Sequence, residues 1–502
     1  MEWLSVLPPL VAIIIVIWKK EVILALLTAV FTSEVLLASQ HHNNVIFHAF
    51  IGSIERVIGV VSSAGNARIL IFSLLIGALL AYVRDSGGVT ATVEKLVNKG
   101  IAKSKRQVGA LTMFTGLVIF IESNLSVLTA GILSRDLFDK FKMSRARLAY
   151  IIDSTSAPVC ILVLLNGWGA YVLALLNNYE LGQSSVSILW GSVAFNFYAI
   201  IALFMVVYTV VADRVHGPMK TAELALNTTE KTKETVETGD LSQCSSIAES
   251  AIPPTALQST LSQKSAPQET LSQAILQEAM VPATKARFML VPLLSMIFGM
   301  FYFMYWSGNG DITQGDGSKS VLYATCLGLA VSYFLLRFSN RFQHQELVEI
   351  GFKGIAELLP LVTIVLLSLT LGASLKELGT GYFIAGIVGE YLPLIFVVPM
   401  LFVAGAVISF STGTSWGTFA ILIPIGVPLI QALGLPPSLV IAAILGGGIF
   451  GDHCSPISDT TCVSAIASGC DLLEHVKTQM PYALFGGALT LVAYIIASIV
   501  MI

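Results

Sequence analysis

Gly446-Gly-Gly-Ile-Phe-Gly-Asp-His-Cys-Ser-Pro-Ile-Ser-Asp-Thr-Thr461 follows the apolar run Leu439–Leu445 and places polar chemistry at the end of a membrane segment. Its last ten positions hold two carboxylates (Asp452 and Asp459), an imidazole (His453) and four hydroxyls. At membrane depth an ionised side chain costs on the order of 3 kcal/mol even on lenient insertion scales, so such residues mark function. The glycines and Pro456 are expected to unwind the backbone and free its carbonyls. Ser455, Ser458 and Thr460 add hydroxyl oxygens, and hard cations take an all-oxygen shell of this kind. A solvated loop would tolerate the same residues, but this one lacks the Lys and Asn that such loops carry.

Composition places the rest of the chain in the bilayer. Hydrophobic residues fill 55% of 502 positions, charged residues only 12%, and mean hydropathy is +0.81. A soluble domain carries roughly 25% charged residues. Apolar runs long enough to cross ~30 Å of hydrocarbon recur along the chain, which predicts an all-α polytopic membrane protein of about 10 to 12 spanning or re-entrant segments. The stretch from Met1 to Trp18-Lys19-Lys20 reads as an uncleaved first span. No glycine-rich nucleotide loop is present, which excludes ATP-driven transport within this chain. The six cysteines show no metal-ligand spacing and read as small packing residues. The expected partners are lipid and small ions, with no cofactor and no nucleic acid.

Of 28 Lys and Arg, 23 fall in five clusters, which the positive-inside rule puts in the cytoplasm of a bacterial inner membrane. The amino terminus is then outside. The segment 107–134, interrupted at Glu122-Ser-Asn124, has basic clusters on both flanks, so it should enter and leave from the cytoplasm as a re-entrant hairpin. The segment 402–430, interrupted at Ser411-Thr-Gly-Thr-Ser415, lies in a stretch without Lys or Arg from Glu377 to Val476 and should enter from outside. Two membrane halves follow, residues 1–212 and 288–502, read as inverted repeats. A polar cytoplasmic linker, 213–287, joins them, with one short helix expected at 271–280. Each half pairs a hydroxyl-rich break with an Asp-led motif ending in proline, Asp153-Ser-Thr-Ser-Ala-Pro158 and Asp452-His-Cys-Ser-Pro456. Asp459-Thr-Thr aligns with Asp153-Ser-Thr equally well. Matching interruptions in two halves point to a transporter binding site.

Asp153, Asp452, Asp459 and Glu122 are therefore the candidate ion-binding and proton-coupling groups. Na+ is placed in the region of Asp153, Asp452 and Asp459. Ser154, Thr155, Asn124, Ser126, Thr412, Thr414, Ser415, Ser455, Ser458 and Thr460 are candidate supporting oxygen ligands. His453 is a candidate pH sensor. His475, beside Glu474 and Lys477, is expected near a membrane surface. A carboxylate out of water holds its proton more tightly, and a cation beside it displaces that proton. Competition of this kind suffices for antiport if the site alternates between the two sides. Helix N-termini at the breaks favour anions instead, which keeps organic-anion exchange open.

At these residues the chain resembles the NhaC-type Na+/H+ antiporters. The matching pieces are Gly451–Thr461, Asp471-Leu-Leu-Glu-His475-Val with Gln479-Met-Pro-Tyr482, Arg145–Pro158, and Ser411–Gly417. The resemblance implies an ion-transporter fold with inverted repeats, re-entrant hairpins, a homodimer and elevator-like alternating access. The family commonly has paired acids where this chain reads Phe120-Ile-Glu-Ser-Asn124, and here Glu122 stands alone. Relatives exchange malate for lactate or are linked to tetracycline efflux, so a proton- or sodium-coupled organic-anion exchanger or drug efflux is the alternative function. Phe450-Gly-Asp452 is similar to the end of an intramembrane aspartyl protease motif. Ile449 occupies its required glycine, and the chain reads as no enzyme.

Overall fold

The computed structural model describes residues 2–40, 43–97, 104–120, 122–164, 166–177, 179, 181–226, 282, 284–311, 315–339 and 341–502, and no strand occurs among them. A 3-10 turn leads into α1 (Leu7–Lys19), α2 (Val22–Ser39), α3 (Val45–Ser62), α4 (Ala64–Asp85) and α5 (Gly88–Val97). Then come α6 (Lys105–Val118), α7 (Ser123–Lys140), α8 (Arg145–Ser154), α9 (Ala157–Leu162), α10 (Gly167–Leu176), α11 (Ser185–Phe195) and α12 (Phe197–Val211). The second half holds α13 (Arg287–Ser307), α14 (Gly317–Arg337), α15 (His344–Glu377), α16 (Thr380–Tyr391) and α17 (Val397–Thr412). It closes with α18 (Ser415–Leu433), α19 (Pro437–Cys454), α20 (Asp459–Ser468) and α21 (Leu472–Met501). Among the described residues 10 helices are long and apolar enough to cross a membrane, or up to 12 counting bent pairs as single spans. The chain is an all-helical, multi-pass membrane protein.

Both expected interruptions are real chain breaks with identifiable caps. Glu122 accepts hydrogen bonds from the N–H groups of Asn124 and Leu125 and starts α7. Gly413, at φ 68°, ends α17 in the left-handed region that glycine tolerates, and α18 begins two residues later. The polar linker is described only at its ends. Residues 217–226 are helical, while the expected helix at 271–280 lies outside the described residues.

The two halves pack on one another. The second arm of the first hairpin, α7, packs on α20 of the other half, and the second arm of the second hairpin, α18, packs on α10. Likewise α8 packs on α21 and α19 packs on α12, while α4 meets α15 and α12 meets α21. Asp153 is the last residue but one of α8, just before the chain breaks at Thr155–Ser156, and Asp452 lies two residues before the end of α19.

Contrary to the expectation above, the glycines of Gly446–Gly451 do not unwind the chain; all lie inside α19. Their role is close approach. A Cβ on Gly447 would meet the carbonyl oxygen of Phe402 at 2.3 Å, and one on Gly451 that of Ala406 at 2.2 Å. This small-residue face at four-residue spacing is how membrane helices bring backbones together without a hydrophobic driving force. Gly447→Ala should force α17 and α19 apart and destabilise the protein by about 1–3 kcal/mol. A melting temperature in detergent that stays at the wild-type value would contradict this packing role.

Charges elsewhere at membrane depth satisfy one another. Arg56 of α3 binds Glu34 of α2 at 2.8 Å and also Glu377 at the end of α15, and Ser374 donates to the same Glu34 oxygen. The cluster ties three helices together.

Candidate functional site

The break after α19 delivers Asp452 and His453 to the centre of the molecule, where they are 1% and 2% exposed. Asp452 Oδ2 accepts a 2.9 Å hydrogen bond from Ser415, the first residue of α18. His453 Nδ1 lies 3.2 Å from the Tyr198 hydroxyl of α12. From the other half, α8 brings Asp153, which is fully buried. Its Oδ2 accepts from Gln479 Nε2 at 2.6 Å and lies 3.3 Å from His475 Nε2. The same Gln479 amide donates to the His453 carbonyl at 3.0 Å. One side chain of α21 thus joins the carboxylate of the first half to the broken helix of the second.

Asp459 and Glu122 form the neighbouring part of the site. Asp459 opens α20 with its Oδ1 on the Thr460 N–H at 2.9 Å, is exposed, and is a hydrogen-bond partner of Asn124 in α7. Electrostatic interaction reaches from Asp459 to Asp452 and to Glu122. Both Glu122 oxygens are engaged at the start of α7, so its contacts are those of a cap.

The candidate hydroxyls divide into two kinds. Ser415 donates to the candidate carboxylate Asp452. Thr155 and Thr412 donate to carbonyls one turn back in their own helices, at 2.7 and 2.9 Å. Ser126 donates to Gly116 across the first hairpin, and Ser455 to Phe410 at the tip of the second, fixing the breaks against their hairpins. Ser458 caps α20 and shares a hydrogen bond with Thr460, Thr414 is the N-cap of α18, and Ser154 is buried at the end of α8. A hydroxyl that donates to a carbonyl keeps its lone pairs, so these oxygens remain available as ligands.

His475 differs from the expectation. It is fully buried against Asp153, because α21 continues inward past Asp471 and its one-turn pair His475 and Gln479 faces α8. Lys477, two residues away from each, drew the helix outward in the sequence reading. The available signal was the four-residue spacing of two polar side chains on one face of a long apolar helix.

The chemistry of the site follows from what is left over. Asp153 Oδ1, Asp452 Oδ1, Gln479 Oε1, Thr461 Oγ1, Ser464 Oγ and Asn124 Oδ1 are buried and make no hydrogen bond among the described residues. An unsatisfied buried acceptor costs about 1–3 kcal/mol, and more when charged. His453 Nε2 and His475 Nδ1 are buried and unpartnered too, and unpartnered oxygens of this kind suit a hard cation or a proton. No three His, Cys, Asp or Glu side chains among the described residues converge as a transition-metal site would require.

Comparison with known proteins bears on the family and the fold. The model of the Na+/H+ antiporter family matches residues 159–499, which takes in Asp452, Asp459, His475 and Gln479 and begins after Asp153. An uncharacterized protein of Haemophilus influenzae is 28% identical over 475 residues, 89% of this chain and 82% of that one. The malate-2H+/Na+-lactate antiporter of Bacillus subtilis is 32% identical over 181 residues, 34% of this chain and 36% of its own. The YdaH transporter of Alcanivorax borkumensis superposes with a TM-score of 0.52 at 12% identity, covering 91% of this chain and 89% of that one, a likeness of fold alone.

Proposed function

Since the chain belongs to the Na+/H+ antiporter family, we propose that this secondary transporter exchanges Na+ or another monovalent cation for H+ at the Asp153–Asp452 cluster. The observation that carries the reading is the pair of buried carboxylates from opposite halves, each with one oxygen hydrogen-bonded and one left without a partner. The unpartnered oxygen either takes a proton or faces a cation. Holding both is disfavoured, because each occupant weakens the site for the other. Exchange results when the loaded site opens alternately to the two sides of the membrane.

Inverted insertion of the two halves, with hairpins entering from opposite faces, is the topology this reading requires. The linker and the basic clusters would then lie in the cytoplasm of a bacterial cell and the amino terminus outside, with the protein working as a homodimer. Asp459, exposed beside the buried pair, is placed to pass ions to it.

Everted membrane vesicles test the proposal. Adding Na+, Li+ or K+ to vesicles holding a preformed proton gradient should dissipate that gradient in proportion to the transporter present. Silence with every alkali cation would remove the reading. Uptake of labelled malate driven by an opposing lactate or proton gradient would favour the organic-anion alternative instead.

A further inference from the structure

We propose that Gln479 supplies a protein oxygen to the transported cation and sets which alkali cation the site prefers. This rests on the antiporter reading above and assigns a role to a residue that the carboxylate chemistry alone does not call for.

Gln479 is 1% exposed and carries no charge, yet it makes the shortest polar contact to Asp153 among the described residues, at 2.6 Å. Its two partners, a carboxylate oxygen and the His453 carbonyl, accept hydrogen bonds. The amide must therefore present its nitrogen to both, which fixes its orientation. With the nitrogen committed, Oε1 takes part in neither contact, and it has no hydrogen bond among the described residues. It sits one bond angle from the nitrogen that touches Asp153, whose own Oδ1 is equally without a partner. Nature leaves few acceptors buried and unmatched, and here two side chains in direct contact each carry one, neutral on Gln479 and charged on Asp153. A cation satisfies both.

The amide also explains how such a site can be selective. Its nitrogen is held by α8 through Asp153 and by the end of α19 through the His453 carbonyl, so the position of Oε1 is set by both halves at once. Discrimination among alkali cations depends on the number, field strength and spacing of coordinating oxygens. A neutral oxygen pinned from two sides adjusts spacing without adding charge, which suits weak, reversible binding.

The experiment uses purified, reconstituted protein and reads half-saturating concentrations of Na+, Li+ and K+ for wild type, Gln479→Asn and Gln479→Met. Asn keeps both atom types on a side chain one methylene shorter, so it reports even if the Met variant fails to accumulate. The expected result for Gln479→Asn is a rise of about tenfold in half-saturation for the preferred cation, as for lost groups around a metal. The Li+:Na+:K+ ratio should change with it. Unchanged half-saturation and an unchanged ratio, whatever happens to the maximal rate, would leave Gln479 a structural tie and overturn the proposal. A wild-type protein indifferent to all three cations would instead defeat the antiporter reading, and the proposal with it.

Discussion

Asp452→Asn should abolish cation-dependent proton movement while leaving the protein folded and abundant. The amide has the shape of the carboxylate and still accepts from Ser415, which now donates at 2.9 Å. Only the charge and the capacity to hold an exchangeable proton are lost. A unit charge at ~4 Å from a cation is worth about 4 kcal/mol at an effective dielectric near 20. Binding should therefore weaken on the order of a thousandfold, since each 1.4 kcal/mol is about a factor of ten. Stability should hold or rise, because replacing a buried charge by a neutral group of the same volume is often neutral or favourable. Transport assays paired with thermal melts of the same preparation check both halves of this expectation. Residual exchange near the wild-type rate would take Asp452 out of the mechanism.

Arg147→Met is expected to do the opposite and unmake the fold. Arg147, at the start of α8, is 2% exposed and donates to Asp213 at 2.8 Å and to the Thr209 carbonyl at 2.8 Å. A further contact reaches Glu223 at 3.4 Å, and the other Glu223 oxygen accepts from the Ser144 N–H. This network pins the described start of the linker against α8. Three residues further along α8, Tyr150 packs on Tyr482 of α21, ring centres 4.7 Å apart, and the His216 N–H donates to the Tyr482 hydroxyl. The elements that hold Asp153 and Gln479 together are thus braced from one end. Removing one partner of a buried ion pair costs about 3–5 kcal/mol, and the lower end applies here because Asp213 is partly exposed. The variant should show reduced abundance and a melting temperature several degrees lower, with transport per folded molecule reduced as well. A melting temperature equal to that of wild type would show that the network carries no load.

Much of the architecture was legible because breaks in membrane helices leave marks in sequence. Glu122 and Gly413-Thr414 interrupt apolar segments, and the structure caps helices at those residues. Charge distribution and hydropathy set the number of spans because the bilayer permits few alternatives. What the sequence hid was packing and direction. The glycine run before Asp452 suggested unwinding, whereas in the helix it lets α19 lie against α17, a contact with a segment some forty residues away in sequence. His475 and Gln479 were obscured by Lys477, since a lysine at helix depth is read as a surface marker. Only the packing of α21 on α8 turns that face inward.

In the proposed exchange, cation and proton compete for carboxylates brought together from both halves. Its most direct test is proton flux into liposomes containing the purified protein and a pH-sensitive dye, started by a Na+ gradient alone, with the membrane potential clamped. The account predicts proton movement opposite to Na+ in the wild type, lost in Asp452→Asn and in Asp153→Asn. Equal proton movement in wild type and both variants, or none in the wild type with any alkali cation, would contradict it.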